Sequence, residues 1–412
     1  MTDTVDVVIV GGGIAGGGLA AVLARSGVSV LELERTTEFV DRVRGEFMFP
    51  WGVADAQATG LYEPLMSAGG NLNTRVVPYD EVMAPTAAEK NAVSLDGMLP
   101  GVGGALAIGH PTACRTFDAL AADEGATVVH GAEVRSVAGG TSPSVTFALD
   151  DLEQTVACRL VVGADGRESF VRKSLGVELH RTDARCHMGG LLVEGLRDWP
   201  ATDFVSGTEG DRMLFVFPQI ERRARLYLGF RADDKRRLAG SDKAATFLAA
   251  FRCSMIPDSG RIADATPAGP CASYPMYDAW VDTPAVDGVV LIGDAAGFSN
   301  PLIGQGLSIA MRDVRLVSEA MLATDDWSAP TFGPYAAERA ERMRRLRFSA
   351  EVFTDAHMPL GPDMIDERRR RLGLLNGDDP DLFMAQVAVL VGPEMAPPSA
   401  FEPEVRERML SA

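Results

Sequence analysis

The sequence predicts an α/β fold in two interleaved parts: a parallel sheet flanked by helices, interrupted by an antiparallel β-sheet domain, and followed by C-terminal helices. Three observations carry the prediction. An apolar run, Val5–Val10, interrupted only by Asp6, leads into a glycine turn, a helical pattern and a second strand ending at Leu33. Two further apolar runs, Leu160–Gly163 and Val289–Leu291, each end at a corner built from glycine and aspartate. Between about residues 180 and 282 the pattern changes to short alternating stretches, "CHMGGLLVEGL", "RMLFVFP" and "RARLYLGF", as expected of antiparallel strands with one wet face.

The first turn is "VGGGIAGGG". Gly11, Gly13 and Gly16 fit G-x-G-x-x-G. Gly11 permits the tight turn, Gly13 lets backbone approach a pyrophosphate, and Gly16 lets the helix lie close to the sheet. Ile14 and Ala15 sit inside this loop, where free N–H groups of the helix start favour an anion. The second strand ends on Glu34, followed by Arg35. A carboxylate there accepts hydrogen bonds from both ribose hydroxyls and repels a 2′-phosphate, so this Rossmann-like site suits FAD or NAD and not NADP.

Composition narrows the classes further. The 412 residues carry a formal charge of −18, which disfavours a nucleic-acid partner. Cys114, Cys158, Cys186, Cys253 and Cys271 are odd in number, widely spaced and without CxxC, so neither a metal site nor a disulfide framework is expected. No apolar stretch reaches the length of a membrane span, and a strand starts almost at once; a cytoplasmic location follows as the expectation.

Two more stretches turn the choice towards FAD. "LVVGADGRESFVRKSLG" (Leu160–Gly176) and "VVLIGDAAGFSNPLIGQGLSIAMRD" (Val289–Asp313) follow the glycine motif in the order and spacing of the single-component FAD-dependent monooxygenases. The chain resembles that family, which includes para-hydroxybenzoate hydroxylase and related aromatic hydroxylases. The resemblance covers about residues 5–60, 105–178 and 285–345. It implies that Asp294 binds the ribityl chain of FAD. Pro301, Gly304, Gly306 and Leu307 would pass beside the flavin ring, with the helix start facing its N1–C2=O edge. Asp165 would lie where flavin and reductant meet, with turn capping as its alternative. Arg44, with Arg42 behind it, would reach phosphate or flavin; Arg115 would lie near the pyrophosphate. Val134, near the end of a strand, would touch adenine through its backbone.

The resemblance also implies a division of the chain. Residues 1–72, 105–178 and 283–345 would form the FAD-binding domain, 73–104 and 179–282 the substrate-binding sheet domain, and 346–412 a C-terminal helical segment. Met213, Phe215 and Phe217 share one strand face by their period of two. Phe49, Tyr227, Tyr274 and Pro301 join them as candidate wall residues for an aromatic or polyketide-like substrate, with core packing as the alternative for each. His187 is expected to be structural. "ERAERMRRLRFSAEVF" and "DERRRRLGLL" predict solvated helix faces with i,i+4 ion pairs, and "APPSAFEPE" an irregular stretch.

The implied activity is hydroxylation of a small aromatic molecule through a flavin C4a-hydroperoxide, with NADH or NADPH as reductant and O2 as co-substrate. A flavin-dependent halogenase and a reductase that transfers hydride without oxygen are the alternatives. The comparable stretch "MLFVFPQIERR" holds neither the tryptophans nor the lysine expected of a halogenase.

Overall fold

The computed structural model describes residues 4–43 and 45–411. Its first sheet has six strands in the order Ala285–Val286, Val289–Leu291, Leu160–Gly163, Val7–Val10, Val30–Glu34, Thr127–His130. All pair in parallel except the first two, which form an antiparallel edge. Val7–Val10 is buried along its whole length, as a strand covered on both faces must be. Beside it Val7 pairs with both Val30 and Leu160, so the glycine turn and the Leu160–Gly163 corner emerge side by side.

Helices Ile14–Arg25, His110–Asp123 and Gly306–Leu322 pack on one face around Leu19, Phe117, Met311 and Val314. On the other face Val8, Leu31, Phe147 and Val161 pack under an antiparallel meander of Glu133–Ala138, Ser144–Leu149 and Leu152–Ala157. Gly11 turns at φ 103°, and a Cβ on Gly16 would lie 1.8 Å from the Gly11 carbonyl oxygen, so the helix crosses the turn with no room for a side chain.

The second large sheet has eight strands. Along its main path run Thr266–Pro267, Cys186–Glu194, Arg223–Arg231, Arg212–Gln219, Asp203–Glu209, Arg75–Asp80 and Val93–Ser94, while Ala272–Met276 pairs with Cys186–Glu194. Two expectations fail here. The sheet is not wholly antiparallel, because Arg75–Asp80 joins Asp203–Glu209 in parallel after a long excursion of the chain. Nor does it have a wet face. Leu226, Leu228 and Phe230 belong to a core with Phe247 and Phe251 on one side, and Met213, Phe215 and Phe217 to an aromatic cluster on the other.

The C-terminal region also departs from expectation. Helix Gly333–His357 buries Arg339 and Arg342 instead of solvating them, and Arg368 of helix Ile365–Gly373 is fully buried against Asp80 and Glu81. Charge alternation at helical spacing fits a surface helix and an internal one equally when each buried arginine finds an acid. Helix Pro380–Val391 packs on Gly333–His357. "APPSAFEPE" forms a tight turn, Pro398–Phe401, and then the start of helix Pro403–Ser411. Val134 is the second residue of its strand, not near the end of one.

Candidate functional site

The glycine turn and both glycine–aspartate corners open onto one cavity of about 960 Å³. At its outer end the helix Ile14–Arg25 starts at Gly13 without a side-chain cap, and a Cβ on Gly13 would meet nothing within 4 Å. The exposed N–H groups therefore face open space. Glu34 accepts from Gly12 N at 2.9 Å and from Thr36 N and Oγ1 at 2.7 and 2.8 Å, which fixes the carboxylate at the lip. Arg35 and Val134 complete that end. Behind it, His130 bridges the Asp118 carboxylate (2.7 Å) and the Thr36 carbonyl (2.9 Å).

The two corners are tied together. Asp294 accepts from Arg167 Nε at 3.0 Å, and the Arg167 guanidinium lies over the Phe298 ring. Asp165 accepts from Ser169 Oγ, Phe170 N and Val171 N, so it caps the short helix Phe170–Ser174 while lining the cavity. Beneath Asp294, Asp313 accepts from Gly293 N at 2.8 Å, Arg339 Nε at 3.1 Å and Arg342 Nη2 at 2.6 Å. Burial works to raise the Asp313 pKa, but Arg339 and Arg342 hold it below the ordinary range.

From the second corner the chain enters a tight turn, Pro301–Ile303, capped by Asn300 Oδ1 on Leu302 N. Gly304 takes φ 64°, and a Cβ there would stand 3.2 Å from the Phe49 ring. Gln305 anchors the loop: its Nε2 donates to the Ile303 and Val389 carbonyls, and its Oε1 accepts from Trp51 Nε1. Helix Gly306–Leu322 then begins without a side-chain cap, and a Cβ on Gly306 would also meet nothing within 4 Å. Two uncapped helix starts and two bare glycines face the same cavity, with the carboxylates of Glu34 and Asp294 along it. That donor set fits a dinucleotide with an extended linker.

Beyond the loop the cavity is walled by aromatic side chains, forming a chamber. Phe204 and Phe217 stack at 4.5 Å with 9° between planes, Phe47 lies 4.6 Å from Phe217, and Phe217 meets Tyr227 edge-on at 5.7 Å. Phe49, Met213, Phe215, Phe217, Tyr227, Tyr274 and Pro301 all line the cavity.

A polar cluster that sequence reasoning missed sits in this wall. Tyr227 donates to Glu46 Oε2 at 2.6 Å, and Arg225 Nη2 reaches Glu46 Oε1 at 2.6 Å and Asp41 Oδ2 at 2.7 Å. Burial raises the Glu46 carboxyl, opposed by Arg225 and Tyr227; burial and Glu46 raise the Tyr227 phenol well above its ordinary value. Arg225 is 2% exposed, and its Nε and Nη1 have no hydrogen-bond partner in the protein. The available signal was "RARLYLGF", where Arg225 shares a strand face with Tyr227.

Other expected positions fall outside this arrangement. Arg115 is exposed, reaches Thr112 Oγ1 at 3.5 Å and is not among the cavity residues; His110, at the start of its helix, is. Arg42 lines the cavity, and Arg44 lies outside the described residues. Gly16 serves helix packing and does not reach the cavity. His187 stacks on Phe230 away from it.

Comparison with known proteins agrees with the geometry. A family model described as FAD binding domain matches residues 4–346. The chain is 27% identical over 337 residues to a menaquinone reductase of Mycolicibacterium smegmatis, covering 78% of this chain and 77% of that protein. It is 29% identical over 355 residues to aklavinone 12-hydroxylase DnrF of Streptomyces peucetius, covering 75% and 65%. The structure of PqsL from Pseudomonas aeruginosa, described as a probable FAD-dependent monooxygenase, superposes with a TM-score of 0.73 at 20% identity, covering 90% of this chain and 100% of that one.

Proposed function

Because this chain belongs to the FAD binding domain family of flavin-dependent oxidoreductases, we propose that it is a monooxygenase that hydroxylates a planar aromatic or polyketide-like molecule, using NADH or NADPH and O2. One observation carries the reading. The cavity runs unbroken from the glycine turn, past Pro301–Leu307, into a chamber whose wall is a parallel stack of phenyl rings. Such a wall favours a flat apolar ring over a flexible polar substrate.

The residues divide the work. The Gly11–Gly13 turn and the start of helix Ile14–Arg25 hold the pyrophosphate of FAD, Glu34 its ribose, and Asp294 its ribityl hydroxyls. The start of helix Gly306–Leu322 stabilises negative charge on the ring; such a helix end contributes about 0.3–2 kcal/mol to an anion. When bound, FAD supplies the two-electron chemistry between the nicotinamide and the second substrate. Tyr227 and Glu46 keep a shared proton at Tyr227 Oη beside the chamber. Phe47, Phe204 and Phe217 keep water out.

The likeness to a menaquinone reductase favours a second reading, hydride transfer to a substrate without oxygen. The FAD-loaded protein, reduced anaerobically by NADH or NADPH and then mixed with candidate substrates with and without 18O2, separates the two. A product that gains one labelled oxygen atom supports the hydroxylase. A product that gains two hydrogens under anaerobic conditions replaces it with the reductase.

A further inference from the structure

Exposed side chains line the cavity in two groups. At its dinucleotide end the exposed lining residues include Arg35, Val40 and Phe170. At the far end, past the aromatic wall, Asn91, Asn376 and Phe383 are exposed and also line it. Phe383 leaves 43% of its surface at this rim. Between the wall and the rim lies an arm roofed by the C-terminal helices.

One face of helix Pro380–Val391 lines the arm through Phe383, Gln386 and Leu390, spaced three and four residues apart. The adjacent Val389 carbonyl binds Gln305 of the loop beside the proposed flavin position. The helix therefore runs from the outer mouth to the reaction chamber. Seven residues at 1.5 Å each make the arm about 10 Å long.

Its lining is largely apolar, with the buried Asp80 carboxylate, paired with Arg368, beside it. Phe353, Leu372 and Leu390 face it. His357 lies 4.2 Å from Phe353 with the rings tilted by 32°, and burial together with Arg368 lowers its pKa to about 3, so it carries no charge near neutrality. Arg368 is itself occupied by Asp80 and Glu81. Among the described residues Asp80 and Arg368 offset each other here, which suits the arm to an uncharged group.

We infer that the arm receives the aliphatic tail of an amphipathic substrate whose aromatic head lies in the chamber, and that Gln386 and Phe383 set the tail it accepts. This rests on the chamber being the substrate site. It adds a substrate class: a ring bearing an unbranched aliphatic chain, which enters by the far mouth while the dinucleotide fills the near one.

The FAD-loaded protein is titrated with 4-alkylphenols from 4-methyl to 4-decyl, read by perturbation of the flavin absorption. Affinity is expected to rise about fourfold per methylene and to level off near octyl, where the tail reaches the mouth. Gln386→Trp is expected to end the rise at shorter tails while leaving 4-methylphenol binding unchanged. Phe383→Ser, on the exposed rim, is expected to weaken only the longest probes, and it decides the matter if Gln386→Trp loses its cofactor. Equal affinity across the wild-type series, or a series unaltered by Phe383→Ser, overturns the arm and leaves the monooxygenase reading in place. No response from any phenol removes the chamber as a substrate site and the arm with it.

Discussion

Arg339 and Asp313 form an ion pair with both side chains almost wholly removed from solvent, Nε to Oδ2 at 3.1 Å. The same guanidinium donates to the carbonyls of Gly293, Ala296 and Gly297. One side chain from the long C-terminal helix thus binds three carbonyls of the glycine–aspartate corner that carries Asp294. Arg339→Met strands three carbonyls and half the charge balance of Asp313. The expected loss is about 3–5 kcal/mol of stability, with weaker FAD retention, measured by urea unfolding and cofactor titration.

The glycines of the first turn separate folding from binding. Gly13 has an extended backbone and open space at its Cβ position, whereas a Cβ on Gly16 would strike the Gly11 carbonyl. Gly13→Val is expected to fold with a stability change within about 1 kcal/mol while losing FAD affinity by at least about tenfold. Gly16→Ala is expected to lose at least about 2 kcal/mol. Thermal melts of the apoprotein beside FAD titration distinguish the two behaviours.

Asp294 tests the cofactor assignment most directly. Removing a charge-assisted hydrogen bond costs about 1.5–3 kcal/mol, so Asp294→Ala should weaken FAD binding by about ten- to a hundredfold. Asp294→Asn, which keeps an acceptor, should fall between this and wild type. Unchanged affinity in the alanine variant would place the ribityl chain elsewhere.

Asp278 gives the protein a pH dependence. It accepts from Asn300 N at 2.8 Å, just before the Pro301 turn. Burial raises its pKa to about 7, opposed by the Asn300 hydrogen bond, Arg347 and Ser299 and helped by Glu351. A raised carboxyl favours the protonated folded state. Its contribution is therefore full below the ordinary pKa of 3.8 and is lost as pH rises towards about 7. Asp278→Asn keeps an acceptor and removes the titration. Its stability relative to wild type should grow from pH 4 to pH 8, by up to roughly 4 kcal/mol, in urea melts across that range.

The parts legible in the sequence were those governed by local rules. The buried strand Val7–Val10, the bare glycines and the acid at Glu34 follow from spacing along one stretch of chain, and Met213, Phe215 and Phe217 from the two-residue period of one strand. What escaped depended on partners far away. Arg225 reads as a strand arginine until Glu46, about 180 residues earlier, is brought against it. Arg368 reads as solvated until Asp80 arrives from the other end of the chain. Arg115 shows the reverse: helical phase, set by how His110–Asp123 packs on the sheet, turns it outward.

The contact between Gln305 and Val389 bears on how the molecule is made. During synthesis the glycine turn, both aspartate corners and the aromatic strands all leave the ribosome before the helix Pro380–Val391 that roofs them. Until that helix docks, the Gln305 side chain lacks one of its acceptors and the phenyl stack lies open to water. A nascent chain stalled near residue 370 would therefore expose a sticky half-built pocket, its aromatic wall still uncovered.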